Sequence, residues 1–441
     1  MRRWFPILFL LIFCACTIRI YDLQPVIPVT DTPEQRIASP TLFVARTKGP
    51  YMRDVTNTPP LHIAPTQITV AAPVYILSLT MADGGNGWAI GQMPQASDKI
   101  ILRTTDGGES WRNYTPPTAV YENTGKNMEV SAKFLDANRA WVVFWEKDRW
   151  DPQKGVTVWY TKDGGANWEG TALPVTGYTI RYFHDPKIGF LDAQTGWIMA
   201  ELGENADRTY YAVYTTFDGG ASWSVPVTSD SANLPVRGKK NGAVFRNALE
   251  GWVAGTSTRE EPGIFLWKTV DGGNTWGQQT LPRPDLDGVP ADLLANPLYT
   301  CSLSVPKFTD FQLQYAWTVL SCTGETLTEP ISVIYWSFDA LNTWRYYRLP
   351  KYGGKAAFYG IDVGWYVQTA DAGDSYNYEI MTTSDGGQNW NLTAKTMWSI
   401  EPQFITASVG YGVAIYKDAP YLMKTSTGGY SWEQIQAAVI P

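Results

Sequence analysis

The chain has 441 residues, of which 44% are hydrophobic, 14% aromatic and 17% charged, and its formal net charge is −7. An acidic chain without a basic stripe argues against nucleic acid as a partner. No segment has the pattern of an amphipathic helix with caps, so we expect an all-β protein.

Residues 1–16 resemble an export signal. Arg2 and Arg3 precede an apolar stretch that ends at Phe13 and is too short to span a bilayer. Ala15 then places a small residue directly before Cys16, as in bacterial lipoprotein signals. The sequence therefore predicts an exported, extracytoplasmic lipoprotein with its anchor on Cys16. An ordinary cleaved signal and an uncleaved anchor are the alternatives.

Residues 17–73 are predicted to form a tether, because nine prolines interrupt this segment. A proline-rich segment is semi-extended and can hold a domain away from a membrane surface. Residues 41–45 have the composition of a strand, so pairing with the first or last blade and a degenerate eighth blade remain open.

Residues 74–441 are organised by a motif that occurs seven times, first as residues 105–111. An aspartate is followed five residues later by tryptophan, with two glycines after the aspartate in most copies, and successive copies lie 42 to 68 residues apart. Aspartate accepts backbone hydrogen bonds in a turn, glycine adopts a positive φ without steric cost, and tryptophan buries a large apolar face. This pattern is the Asp-box, and its residues are predicted to be structural. They are Asp106, Trp111, Asp163, Trp168, Asp218, Trp223, Asp271, Trp276, Asp339, Trp344, Asp385, Trp390, Thr427 (in place of aspartate) and Trp432.

A second motif, a small residue before an aromatic one, lies 16 to 22 residues ahead of each box. Its aromatic residues are Trp88, Trp141, Trp197, Trp252, Trp317, Trp365 and Tyr411. In six copies a large apolar residue lies seven positions earlier, while in the fifth copy Phe308 and Phe311 lie on either side of that position. Each repeat thus predicts four strands, with the Asp-box turn between the third and fourth. The fold class is an all-β, seven-bladed β-propeller.

The tandem boxes and the preceding pattern, best seen from Phe190 through Asp192 to Gly196 and Trp197, resemble the photosystem II stability and assembly factor family. The resemblance implies a seven-bladed propeller that holds a protein subunit of a membrane complex without catalysis. The family uses an arginine-rich patch, and this chain has no comparable run of arginines. We therefore expect a protein partner in an envelope or membrane complex, with membrane attachment through the lipid anchor and no cofactor.

Asp-boxes also occur in sialidases and endo-xyloglucanases, so a glycoside hydrolase or glycan binder is the alternative. The Arg-Ile-Pro motif of sialidases is absent from the sequence. The candidate carboxylate pairs for acid and base chemistry are Asp285 with Asp287 and Asp371 with Asp374. We expect these loop carboxylates to be solvated and the protein not to be an enzyme.

Metal sites are not predicted. The two histidines, His62 and His184, are far apart in the sequence. Calcium at the Asp-boxes competes with use of each aspartate in its own turn.

The strand order separates two faces. The turns between first and second strands and the Asp-box turns share one face, the Asp-box face, which we expect to be uniform. Loops between second and third strands and the links between blades share the other, the loop face, which carries the irregular insertions and is the expected binding surface. The candidate partner-binding residues are Trp150, Arg181, His184, Arg237, Lys239 and Lys240. Packing of Trp150 on its own blade and a merely solvated basic run are the alternatives.

Cys301 and Cys322 lie on either side of the expected first turn of blade 5. Export allows a disulfide between them, and two separate buried thiols are the alternative.

Overall fold

A computed structural model describes residues 71–116, 128–146, 156–174, 183–205, 208–224, 227–229, 234 and 236–441. The predictions for residues 1–70, including Cys16, and those for Trp150 and Arg181 lie outside these ranges. In the described part, no helix is long and apolar enough to cross a membrane.

The first three blades follow a short opening strand. The first strand of the described part is β1 (Ala72–Pro73). Blade 1 contains β2 (Tyr75–Met81), β3 (Gly87–Gln92), β4 (Lys99–Thr104) and β5 (Ser110–Asn113). Blade 2 contains β6 (Met128–Phe134), β7 (Ala140–Glu146), β8 (Thr157–Thr161) and β9 (Glu169–Ala172). Blade 3 contains β10 (His184–Phe190), β11 (Gly196–Asn205), β12 (Arg208–Thr216) and β13 (Val227–Thr228).

Four further blades complete the ring. Blade 4 contains β14 (Lys240–Phe245), β15 (Gly251–Gly255), β16 (Leu266–Thr269) and β17 (Gly277–Gln278). Blade 5 contains β18 (Tyr299–Leu303), β19 (Lys307–Phe308), β20 (Ala316–Gly324), β21 (Ile331–Ser337) and β22 (Arg345–Arg348). Blade 6 contains β23 (Lys355–Tyr359), β24 (Val363–Thr369), β25 (Tyr378–Thr383) and β26 (Asn391–Thr396). Blade 7 contains β27 (Ser399–Phe404), β28 (Gly410–Tyr416), β29 (Ala419–Thr425) and β30 (Glu433–Ile435), and β31 (Ala438–Val439) follows.

The predicted seven-bladed β-propeller is confirmed. Within each blade the strands pair antiparallel in chain order, and each Asp-box turn lies between the third and fourth strands. In blade 5 two short strands, β18 and β19, together take the place of the first strand, because both pair with β20.

The ring closes at the outer edge of blade 1. β31 pairs parallel with β5, and β1 pairs antiparallel with β31. The last two residues of the predicted tether, Ala72 and Pro73, therefore belong to the sheet. On the Asp-box face, the Tyr411 hydroxyl donates to the carbonyl oxygen of Gly84 at 3.2 Å and joins blade 7 to blade 1.

The core is divided among the interfaces between blades. Among the described residues, one cluster of buried apolar side chains lies at each of the seven interfaces. The second-strand tryptophan of one blade packs on the first-strand phenylalanine of the next, as in Trp141 on Phe190 and Trp365 on Phe404. In blade 5 this position is taken by Phe308, which lies 6.1 Å from Trp252 between ring centroids. The spacing of seven residues in the sequence therefore reflects contacts between neighbouring blades.

Each Asp-box turn is held by the residue two positions before the aspartate. In blade 1, Thr104 Oγ1 accepts the N–H of Gly108 at 2.9 Å and donates to Asp106 Oδ1 at 2.8 Å. The equivalent residue is a buried threonine or serine in every blade. These residues are Thr104, Thr161, Thr216, Thr269, Ser337, Thr383 and Thr425. A threonine or serine two positions before the Asp-box aspartate is thus a further part of the repeat that can be recognised in the sequence.

Blade 5 departs from the repeat at its Asp-box. Ala340 and Leu341 take the place of the two glycines and adopt φ values of 56° and 66°. Such values strain residues with a Cβ, and Leu341 is fully buried in compensation. In the same blade, Cys301 and Cys322 are directly opposite in the strand register and form a disulfide.

Candidate functional site

The described candidate residues lie on the loop face of blades 3 and 4. His184 begins β10, and Lys240 begins β14. Between them lie Glu201 on β11 and Tyr211 on β12, which face each other in the strand register. The structure thus adds Glu201 and Tyr211, which the sequence analysis missed because neither belongs to a repeat motif.

His184 lies between an acid and an indole ring. Its Nδ1 is 3.5 Å from Glu201 Oε2, and its ring meets Trp145 edge-on at 4.8 Å between centroids. A bulge follows directly in β10, where Asp185 has a φ of 46° and pairs with Lys187 at 2.6 Å. The bulge interrupts regular pairing with β11, so His184 is positioned by local backbone geometry as well as by Glu201.

Tyr211 links blade 3 to blade 4. Its hydroxyl donates to Glu201 Oε1 at 3.5 Å and accepts the backbone N–H of Lys240 at 2.9 Å. The ring is buried, and this burial raises the pKa of Tyr211. A tyrosine beside a glutamate is a feature of sialidase nucleophiles, but a buried phenol with a raised pKa is disfavoured as a phenolate.

Lys240 was predicted to belong to an exposed basic cluster, and this prediction is wrong. The side chain is 2% exposed, and its Nζ donates to the carbonyl oxygens of Arg237 at 2.6 Å and Gly238 at 2.8 Å. The Trp267 ring lies 4.4 Å from Nζ. Burial lowers the pKa of Lys240 to about 7. The buried side chain supports the start of blade 4.

Arg237 and Lys239 stay at the surface. Arg237 is half-buried, and its Nη1 lies 3.9 Å from Glu260 Oε2. Lys239 is exposed, and its carbonyl oxygen accepts the N–H of Thr256 at 2.8 Å. Backbone pairing therefore fixes this segment while both cationic side chains extend from it.

In one candidate pair for acid and base chemistry, each carboxylate pairs with a lysine. Asp371 lies 2.9 Å from Lys351, and Asp374 pairs with Lys395. The hydrogen bond from Lys395 lowers the pKa of Asp374. A glycosidase acid needs a raised pKa, so Asp374 is unsuited to that role.

The other candidate pair, Asp285 and Asp287, is exposed at the surface. The Asp285 side chain is 87% exposed and lies 3.7 Å from Arg283. Asp287 contributes its backbone carbonyl oxygen, which accepts from Arg348 at 2.9 Å. Within the described ranges, no group of three or more acidic, histidine or cysteine side chains is arranged to hold a metal ion.

Comparison with known proteins gives two relatives. No family model matches the chain. Over 197 residues the chain is 28% identical to the photosystem II assembly lipoprotein Ycf48 of Synechococcus sp. (strain CC9902). This match covers 44% of this chain and 48% of that protein. Over 168 residues the chain is 26% identical to a xyloglucanase of Paenibacillus sp.. This match covers 34% of this chain and 16% of the xyloglucanase. The matched part thus spans less than half of the length of either relative.

Among solved structures, an ulvan lyase of polysaccharide lyase family PL25 is similar with a TM-score of 0.50 and 11% identity, over 83% of this chain and 96% of that chain. This likeness shows the propeller fold alone. The similarity to Ycf48 agrees with the resemblance drawn from the repeat motifs.

Proposed function

We propose that the protein is a non-catalytic assembly factor that binds a protein partner of an envelope or membrane complex through its loop face. The proposal rests on the loop face of blades 3 and 4, where hydrogen bonds hold the side chains between His184 and Lys240 in place beside cationic side chains at the surface. Glu201, Tyr211 and Lys240 bond to one another's segments or to backbone carbonyls. Lys239 is exposed beside them, and Arg237 pairs with Glu260 at the surface. A rigid face with cationic side chains suits recognition of an acidic protein segment.

A lipid anchor on Cys16 is part of this proposal, because it would keep the propeller at the membrane surface. Substitution Cys16→Ser should move the protein from the membrane to the soluble exported fraction. Continued membrane retention with an unmodified Cys16 in mass spectrometry would contradict the anchor.

The binding surface is tested by charge reversal. Arg237→Glu with Lys239→Glu should weaken capture of the partner that the wild-type protein retrieves from native membranes, and should reduce the salt dependence of capture. Arg112→Glu with Lys162→Glu, two exposed positions in blades 1 and 2, changes the net charge equally and should leave capture intact. Equal capture by both double variants would reject the loop-face site.

A carbohydrate-active propeller is the second candidate, favoured by the similarity to the xyloglucanase. It predicts turnover of xyloglucan oligosaccharides or sialosides by the purified protein. Turnover that Asp371→Asn or Asp374→Asn abolishes would replace the assembly-factor proposal.

A further inference from the structure

The Asp-box face of blades 3–5 exposes apolar side chains at the tips of neighbouring turns. Phe217 is 54% exposed, Leu249 59%, Val270 66% and Phe311 fully. We call the turns of blades 3–5 on this face, residues 191–195, 217–222, 246–250, 270–275, 309–315 and 338–343, the apolar arc.

The scaffold does not require these apolar residues. In blades 3–5 the residue before the Asp-box aspartate is Phe217, Val270 or Phe338. The same position is polar in the other blades, where it is Thr105, Lys162, Ser384 and Ser426. Because all seven boxes form the same turn, the apolar choice in three adjacent blades needs a reason outside the turn. Exposed apolar side chains on neighbouring turns of one face are typical of an interaction site.

Blade 5 holds its aromatic residues in fixed positions. The Asp310 carboxylate accepts the N–H groups of Gln314 at 3.0 Å and Tyr315 at 2.7 Å, which fixes the turn that carries Phe311. Tyr315 lies 5.6 Å from Phe338 between ring centroids. An ordered turn lowers the entropy cost of binding, because the apolar tip is already in place.

The charges around the tips are mostly negative. Six acidic residues lie within the arc: Asp192, Asp218, Glu250, Asp271, Asp310 and Asp339. One basic residue, Arg246, lies within it, and three more lie two residues away along the chain: Lys268, Lys307 and Arg345. Arg246 and Lys268 both pair with Glu250, and Arg345 lies over the Phe338 ring at 5.1 Å.

The box aspartates remain ionised at neutral pH. Although partial burial raises the pKa of Asp218, the hydroxyl and N–H of Ser222 outweigh it, and the net pKa is lowered. The pKa values of Asp271 and Asp339 are lowered in the same way, with hydrogen bonds from Thr275 and Thr343 outweighing burial.

We propose that the apolar arc binds a segment of another protein that presents apolar side chains together with lysine or arginine. Apolar tips provide the anchoring contacts, and the surrounding carboxylates complement basic side chains. The same negative charge opposes docking on an anionic lipid surface. This interface goes beyond the loop-face site and lies on the opposite face, so each can fail without the other.

The test uses the full-length protein and synthetic peptides. An amphipathic peptide of leucine and lysine should bind, with an affinity that falls as salt is added. The triple variant Leu249→Ser, Val270→Ser, Phe311→Ser should lose about tenfold in affinity, because a few exposed apolar residues dominate interface energies. The matched variant Tyr352→Ser, Tyr376→Ser, Met397→Ser alters three exposed apolar residues elsewhere and should bind as the wild type does. Arg237→Glu with Lys239→Glu should also retain peptide binding.

Four outcomes would overturn the proposal. The first is equal binding of the peptide by the wild type and the triple variant. A second is binding of a serine–lysine peptide to the wild type with the same affinity as the leucine–lysine peptide, which would show charge attraction without apolar contact. Binding of phosphatidylcholine vesicles that the triple variant loses would assign the arc to lipid. Self-association in sedimentation velocity that the triple variant loses would assign it to a second copy of this chain.

Discussion

The side chain of Gln403 pairs with both backbone groups of Met81. Its Nε2 donates to the Met81 carbonyl oxygen at 3.0 Å, and its Oε1 accepts the Met81 N–H at 2.8 Å. Gln403 lies on the first strand of blade 7 and Met81 on the first strand of blade 1. One amide thus bridges the first and last blades at the point where the ring closes.

Replacing Gln403 by leucine should destabilise the protein. The substitution keeps the approximate volume but leaves two half-buried backbone groups of Met81 without partners, at a cost of about 2 kcal/mol. The midpoint of urea unfolding should fall accordingly. Gln194→Leu, at an exposed turn position, should leave the midpoint unchanged. Equal midpoints for both variants would show that the bridge does not stabilise the ring.

The blades could be predicted from the sequence and the closure could not, for a physical reason. Second-strand tryptophans and Asp-boxes depend on contacts that every repeat makes, so their spacing recurs along the chain. Closure instead depends on Gln403, which has no counterpart in other repeats, and on β31, which has two residues. Such short pairings depend on the completed ring and leave no pattern in the sequence.

Thr104→Val should destabilise blade 1, whereas Thr105→Val should not. Valine at position 104 preserves the shape but leaves the buried N–H of Gly108 without its acceptor, at a cost of about 1–3 kcal/mol. Thr105 is exposed at the next position. Thermal melts of the two variants provide the comparison. If Thr104→Val melts at the same temperature as Thr105→Val and the wild type, the hydroxyl of Thr104 is dispensable.

The disulfide between Cys301 and Cys322 should be present in the native protein. Non-reducing intact-mass analysis should find the two thiols joined, since they face each other across paired strands. Cys301→Ala with Cys322→Ala should lower the free energy of unfolding by about 3 kcal/mol, as expected for a loop of this order of length. Recovery of both thiols free from the native protein would contradict the bond.

On the loop face, the burial of individual lysines could not be predicted from the sequence. Lys239 and Lys240 are adjacent and equally basic in the sequence, yet one is exposed and the other is buried. Strand alternation separates them, because β14 begins at Lys240 and directs its side chain between blades. The Asp-box face was expected to be uniform, and its apolar tips in blades 3–5 correct that expectation. The burial of Lys240 arises from side-chain direction, which composition does not reveal, whereas the apolar residues before the boxes of blades 3–5 are present in the sequence at a fixed position of the repeat.

Lys240 should make stability depend on pH above neutrality. Burial lowers its pKa to about 7 from an ordinary value of 10.5, although the carboxylate of Glu261 opposes the shift. Between these two values the unfolded chain binds more protons than the folded protein, so the free energy of unfolding rises with pH. Below the folded pKa both states are protonated and this contribution is constant.

The difference between the wild type and Lys240→Met isolates this contribution, because methionine fills the same space and does not titrate. The free energy of unfolding of the wild type should rise relative to that of Lys240→Met between about pH 7 and about pH 10. Lys239→Met, which alters the exposed neighbour, should show no such trend relative to the wild type. Unfolding in urea at a series of pH values measures both differences. If the Lys240→Met difference stays flat or falls with pH, the ammonium is held charged by Trp267 and the carbonyl oxygens of Arg237 and Gly238 despite its burial.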